Sequence, residues 1–282
     1  MKKVLLVFLI LFIVMIFISL LFVMLQKNLP IGERIAVIRV EGPILDSKNT
    51  IEELKEYVKD PSVKAVVLRI DSPGGAVAPS QEIYEEVRKA VVKKKVVVSM
   101  GSIAASGGYY IASPATRILA NPGTLTGSIG VIMEIPNFQG LMNKLGIKTE
   151  VVKSGRHKDI ASAFRGIGKE ERAILQGVMD NVHDQFIVAV AEGRKMLRED
   201  VKKIADGRIY TGEQALAAGL VDELGNLEDA VKAAAKLSGI KGEPVVVTKK
   251  EKLSLINLLR ETVPEELADI FPSVKIKYLF TP

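Results

Sequence analysis

Cysteine and tryptophan are absent from this 282-residue chain, and histidine occurs only twice. Without cysteine there is no disulfide scaffold, no thiol nucleophile and no zinc–thiolate site. A Ser-His-Asp arrangement would have only His157 or His183 as its base. No sign of charge dominates: 39 Lys and Arg face 33 Asp and Glu, a net charge of +6. The signs are interspersed, as from Glu82 to Lys95, which is the pattern of solvated helix faces. Nucleic acid is therefore not an expected partner, while a mild attraction to anionic lipid headgroups is compatible with the charge. Neither a Walker A motif nor a Gly-x-Gly-x-x-Gly fingerprint occurs, and no metal, nucleotide or other cofactor is expected.

What the chain does have is one long apolar run. Val4 to Leu25 carries no charge, and Ser19 is its single polar side chain. As a helix it spans roughly 33 Å, enough for a hydrocarbon core of about 30 Å. A secretory signal core is shorter, about 7–15 residues, and ends at an Ala-x-Ala-like site; none follows here. The expectation is an uncleaved anchor: a stub and transmembrane helix over 1–28, then a linker over 29–33. Lys2 and Lys3 against Lys27 and Arg34 give only a weak orientation signal. The reading is a single-pass cell-membrane protein with a cytoplasmic N-terminus and its main domain outside.

Beyond the linker, strand and helix patterns alternate. Arg34–Val40, Val63–Ile70, Val96–Met100, Arg117–Ala120 and Ile147–Val152 read as strands. Ile51–Lys59, Ser80–Val92, Lys169–Met196 and Leu227–Leu237 read as helices. Near-continuous apolar strands between helices indicate an α/β fold with a largely parallel sheet. The main domain is placed at 34–242. A C-terminal extension of unassigned role, 243–282, holds a possible strand at Val245–Thr248 and an amphipathic tail from Leu253 to Phe280.

Three segments carry chemistry. After Val96–Met100, the small residues of Gly101-Ser-Ile-Ala-Ala-Ser106-Gly-Gly-Tyr-Tyr110 can present Ser106 in a tight turn before a helix. That is how an α/β fold exposes a nucleophile, although Gly-x-Ser-x-Gly itself is not present. Asp71-Ser-Pro-Gly-Gly75 closes another strand, where the N–H of Gly74 or Gly75, with that of Gly107, can form an oxyanion hole. Ser128, in Thr124-Leu-Thr-Gly-Ser-Ile-Gly130, is a second candidate hydroxyl. Each segment is also compatible with ordinary strand-to-helix packing. The base is left open among His157, His183 and a lysine such as Lys158. A lysine serves only when burial lowers its pKa from about 10.4 towards about 7–8.

Taken together, these segments resemble the signal peptide peptidase A family. The likeness lies in Asp71–Gly75, Gly101–Ala112, Thr126–Gly130, Ser154-Gly-Arg-His-Lys-Asp159 and Thr211–Gly225, in that order. It covers about residues 34–239, and the anchor fits it. The resemblance implies a caseinolytic-protease/crotonase-like fold. It implies Ser106 as nucleophile, Lys158 as general base and Ser128 hydrogen-bonding the lysine amine. It also implies a homo-oligomeric dome or ring in which neighbouring subunits complete the substrate grooves. Peptide remnants such as cleaved signal peptides are the implied substrates. The alternatives are a Ser/Lys membrane protease acting on another membrane protein, a crotonase-type acyl-CoA enzyme, and a catalytically inactive scaffold.

Overall fold

The apolar runs between residues 34 and 120 become strands buried on both faces, and this sets the architecture of the computed structural model. The structure describes residues 8, 10–19, 32–249 and 276–279. The chain runs β1 (Arg34–Glu41), α1 (Lys48–Lys59), β2 (Val63–Ser72), β3 (Gly74–Ala76), α2 (Val77–Lys93), β4 (Lys95–Ala105) and α3 (Gly107–Ala112). It continues through β5 (Arg117–Ala120), β6 (Leu125–Gly127), β7 (Ile132–Met133), α4 (Gln139–Lys144), α5 (Lys169–Arg194) and α6 (Arg198–Ile204). Then come β8 (Ile209–Thr211), α7 (Gly212–Ala217), β9 (Glu223–Leu224), α8 (Leu227–Ser238), β10 (Val245–Val247) and β11 (Ile276–Leu279).

The main sheet has the order β10-β1-β2-β4-β5-β9, with all these neighbours parallel. β6 joins β4 beside the end of β5, and β8 pairs antiparallel with β6. Alternate side chains of a strand point to opposite faces, and both faces are covered here. Ile38, Leu68 and Val98 face a core that includes Leu54 of α1, Val87 of α2, Ile111 of α3 and Phe186 of α5. Their neighbours Val37, Val67 and Val97 face Ala230 and Ala234 of α8. That two-sided burial explains why these strands read as continuous apolar runs. Two helices begin at side-chain caps. Thr211 accepts the Gln214 N–H at the start of α7, and Asn226 accepts the Glu228 and Asp229 N–H groups at α8. Gly239, with φ +75°, ends α8.

Three expectations change. β4 does not stop at Met100 but runs to Ala105, because Ala104 pairs with Ser72 and residues 103–105 pair with β6. Ile147–Val152 is not a strand: these residues have no regular structure, and Val152 is fully exposed. Their β-propensity finds no sheet edge to satisfy it. The main sheet also passes the boundary expected at 242, since β10 lies alongside β1. The anchor expected over 1–28 falls largely outside the described residues; residues 10–19 are helical, with apolar side chains such as Phe12 and Phe17 exposed. No helix among the described residues is long and apolar enough to cross a membrane. The tail expected over Leu253–Phe280 also lies outside them, apart from the strand β11.

Candidate active site

Ser106 sits between the last residue of β4 and the first of α3, and it has an unusual backbone, φ 52° and ψ −116°. This region is strained for a residue with a side chain and costs of order 1–3 kcal/mol, a strain concentrated at functional sites. The surroundings hold it in place. The Ser106 N–H donates to the Gly127 carbonyl at 2.8 Å, and the Ser106 carbonyl accepts from the Tyr110 N–H at 2.8 Å. The residue is buried. As the first residues of α3, Gly107, Gly108 and Tyr109 have N–H groups without intrahelical acceptors.

The Tyr-Tyr pair anchors this helix. The Tyr109 hydroxyl donates to the Leu220 carbonyl at 2.8 Å. Tyr110 packs against Tyr84 and Phe186, with ring centroids 5.0 and 4.8 Å away. Burial pushes the Tyr110 phenol up to about 12 and the Tyr109 phenol higher still, so both stay neutral hydrogen-bonding groups at ordinary pH.

The glycines of the Asp71–Gly75 segment have distinct duties. Gly74 has φ +101°, which favours glycine. Its N–H donates to the Ser72 hydroxyl at 3.1 Å. A Cβ on Gly75 would lie 2.1 Å from the Ile44 carbonyl oxygen, so β3 and residue 44 can approach only because that atom is missing. α3 crosses the end of β2 just as closely: a Cβ on Gly108 would lie 2.8 Å from the Ser72 carbonyl oxygen. The two motif segments are thus neighbours in space.

Ser128 follows from the same register. Ala105 pairs with Gly127 in parallel β4 and β6, so Ser106 and Ser128 are the next residues of adjacent strands. Both have positive φ, 52° and 50°. The Ser128 N–H is fixed by the Arg208 carbonyl at 2.8 Å. Thr126 and Thr124 tie β6 and its turn to β4 through the carbonyls of Ala104 and Gly101, each at 2.7 Å.

Lys158 is placed differently. It is exposed, in a turn-rich stretch before α5, and its amine makes no hydrogen bond among the described residues, to Ser106 or Ser128 included. The stretch is stapled to α5. Arg165 donates to Asp159 at 2.8 Å and, through both terminal nitrogens, to Glu171 at 2.7 and 2.5 Å. Lys153 also reaches Asp159. Hydrogen bonds from Arg165, then from Lys153, hold the Asp159 carboxyl well below its ordinary value. Those from Arg165, then from the Gly168 N–H, hold Glu171 at about 2. The structure therefore brings Ser106, Gly107, Gly74, Gly75 and Ser128 to one place and leaves Lys158 on a clamped, solvent-facing arm.

Neither histidine bonds to Ser106. His157 lies 3.6 Å from Glu170, and its Nδ1 is buried without a partner among the described residues. His183 is half-buried on α5. Its Nε2 is buried without a partner among the described residues, and it lines a cavity of about 440 Å³ with Ser128, Ile132 and Asp180. Helical periodicity alone did not reveal that inward face of α5. Among the described residues, no cluster of His, Asp and Glu could hold a metal ion.

A strained serine at a strand-to-helix junction, with helix-start N–H groups behind it, points to an α/β serine hydrolase. The comparisons narrow that class. The family model for peptidase family S49 matches residues 88–241. A Synechocystis sp. protein carrying a provisional protease name is 47% identical over 214 residues, covering 76% of this chain and 77% of that protein. Protease 4 of Salmonella typhi is 37% identical over 260 residues, 86% of this chain but 42% of its own length. An Enterococcus faecium protein provisionally named signal peptide peptidase SppA is 39% identical over 207 residues, 72% of this chain and 60% of its own. The chain belongs to peptidase family S49 and is a serine protease.

Proposed function

We propose that the protein is a membrane-anchored serine endopeptidase working through Ser106 and Lys158. The observation that carries this reading is the strained, buried Ser106 beside helix N–H groups that have no intrahelical acceptor. Ser106 Oγ attacks a peptide carbonyl while the neutral Lys158 amine takes its proton. The oxyanion rests on the N–H groups of Gly75 and Gly107. The Gly74 N–H, already engaged by Ser72, shapes the turn. Lys158 then protonates the leaving amine, and water hydrolyses the acyl-enzyme. Ser128, one strand over from Ser106, holds the amine.

The lysine meets the serine when copies assemble. Two facts support this: Lys158 is unpaired among the described residues on an exposed arm, and apolar side chains along that arm face solvent. Ile147 is 49% exposed and Val151 52%, a combination suited to burial against a second copy. Such a contact would strip water from the amine and favour its neutral form. The apolar run Val4–Leu25 supports single-pass anchoring with the domain outside the cell. The provisional name of the Enterococcus relative supports cleaved signal peptides as substrates.

The test is hydrolysis of a fluorogenic peptide by wild type, Ser106→Ala and Lys158→Ala. Loss of turnover in both, with folding and assembly intact, supports the reading. Full activity in either variant contradicts it.

A further inference from the structure

The two ends of the main sheet differ in charge. Its strands β1, β2, β4 and β5 are parallel, so they start at one end, with Arg34, Val63, Lys95 and Arg117. α1 and α2 run back to that end and finish at Lys59 and Lys93. Residues 88–95 read Arg-Lys-Ala-Val-Val-Lys-Lys-Lys, five bases with no acid. Lys64 joins them on the next strand, since its neighbour Ala65 pairs with Lys95. Arg88 and Lys89 pair with Glu85 and Glu86. Lys94 donates to the Tyr57 carbonyl at 2.7 Å and to the Asp60 carbonyl at 2.5 Å. Lys64, Lys93 and Lys95 are exposed and have no ion pair among the described residues. Val92 stands beside them, 86% exposed. At the other end of the sheet β1 finishes at Glu41, and α7 and α8 open with Glu213, Glu228 and Asp229.

Helix dipoles account for part of this pattern, because a base in the last turn of a helix and an acid in the first are favourable. They do not account for Lys64 and Lys95, which sit on strands, where net dipoles are small. The crowding is felt at Lys94: burial lowers its amine below the ordinary value, Asp60 opposes that, and the nearby charge of Lys64 adds to it. We infer that this basic end is a docking surface for an anionic phospholipid bilayer, with Lys64, Lys93 and Lys95 against the headgroups and Val92 inserted among them. The inference rests on the membrane-anchored reading. Eight residues, 26–33, separate the apolar run Val4–Leu25 from Arg34 at the start of β1. They reach at most roughly 30 Å, so the end that carries β1's first residue stays near the membrane. That reach still exceeds the Debye length of about 8 Å. The tether alone therefore leaves the domain free to turn, and contact of the lysines with headgroups orients it. Each lysine at such a surface strengthens the contact by roughly fivefold.

The chain has no cysteine, so one introduced cysteine can carry a fluorophore. Full-length Val92→Cys and, at the other end, Glu213→Cys are labelled with bimane. Each is reconstituted into vesicles that contain a lipid with a nitroxide headgroup, in phosphatidylcholine alone or mixed with phosphatidylglycerol. Nitroxide quenches only at close range. Quenching of the label at position 92 is expected to be about threefold or more stronger in the anionic vesicles. It should fall to the neutral-vesicle level in about 0.5 M salt, where the Debye length is roughly 4 Å. Adding Lys64→Gln, Lys93→Gln and Lys95→Gln, all at exposed positions, should have the same effect as salt. The label at position 213 should stay unquenched. Quenching at position 92 that ignores lipid charge and salt overturns the inference. So does its absence in anionic vesicles, and so does stronger quenching at position 213. Flotation after an alkaline carbonate wash reports the anchor separately. If the chain washes off, the anchored reading fails, and docking is then read from salt-sensitive binding of the same chain to phosphatidylglycerol vesicles.

Discussion

At the scale of single residues, the site is built from backbone exceptions. Ser106 and Ser128 have positive φ without being glycine, and only the surrounding hydrogen bonds sustain that. Ser106→Ala should leave the fold intact and lower kcat on a peptide substrate by about 10³-fold or more, as removal of a nucleophile does in other serine hydrolases. Gly75→Ala tests the close approach to residue 44. Its Cβ would lie 2.1 Å from a backbone oxygen, so denaturant unfolding should show a loss of about 3 kcal/mol. The junction at Ser106 was legible because small residues after an apolar run announce a tight turn. The sequence alone could not divide the glycines by duty. Gly74 answers to its φ and Gly75 to the Ile44 carbonyl, and that carbonyl lies far away in sequence.

Among the elements, β4 and the arm before α5 matter most. The strand was legible from Val96–Met100, but its last residues were hidden because Gly101–Ala105 is poor in β-formers. Pairing to β6 overrides that composition. The arm was misread in the other direction: Ile147–Val152 looks like a strand and pairs with nothing. What orders the arm is Arg165, gripping Asp159 and Glu171. Arg165→Ala should lower kcat on the peptide substrate more than it changes KM, and should speed proteolytic nicking across residues 147–168. The clamp also fixes a pH response. Both carboxyls are depressed in the folded state, so their contribution is present above their unfolded values of about 4. It is lost as pH falls through the folded values, about 2 for Glu171. Wild-type arm protection should therefore hold down to about pH 4, decline below it and be lost by about pH 2. In Arg165→Ala, protection should be weak at every pH.

At the scale of the whole molecule, the α/β class and the parallel sheet were readable from two-sided apolar strands. The small sheet was not, because β3 and β7 are three and two residues long and their partner lies some 140 residues or more further on. Nor can a single chain's sequence show which groups meet only between copies. If the lysine comes from a neighbouring copy, Ser106→Ala and Lys158→Ala subunits should complement. Co-assembled in equal amounts, they should recover about a quarter of wild-type activity, since one site in four then pairs an intact serine with an intact lysine. The central claim is that this serine protease uses Ser106 with Lys158 rather than with a histidine. The most direct measurement is the steady-state rate of peptide hydrolysis by Ser106→Ala, Lys158→Ala, His157→Ala and His183→Ala against wild type. The account predicts that the first two fall by about 10³-fold or more while both histidine variants stay active. An active Lys158→Ala beside a histidine variant that is dead would contradict it.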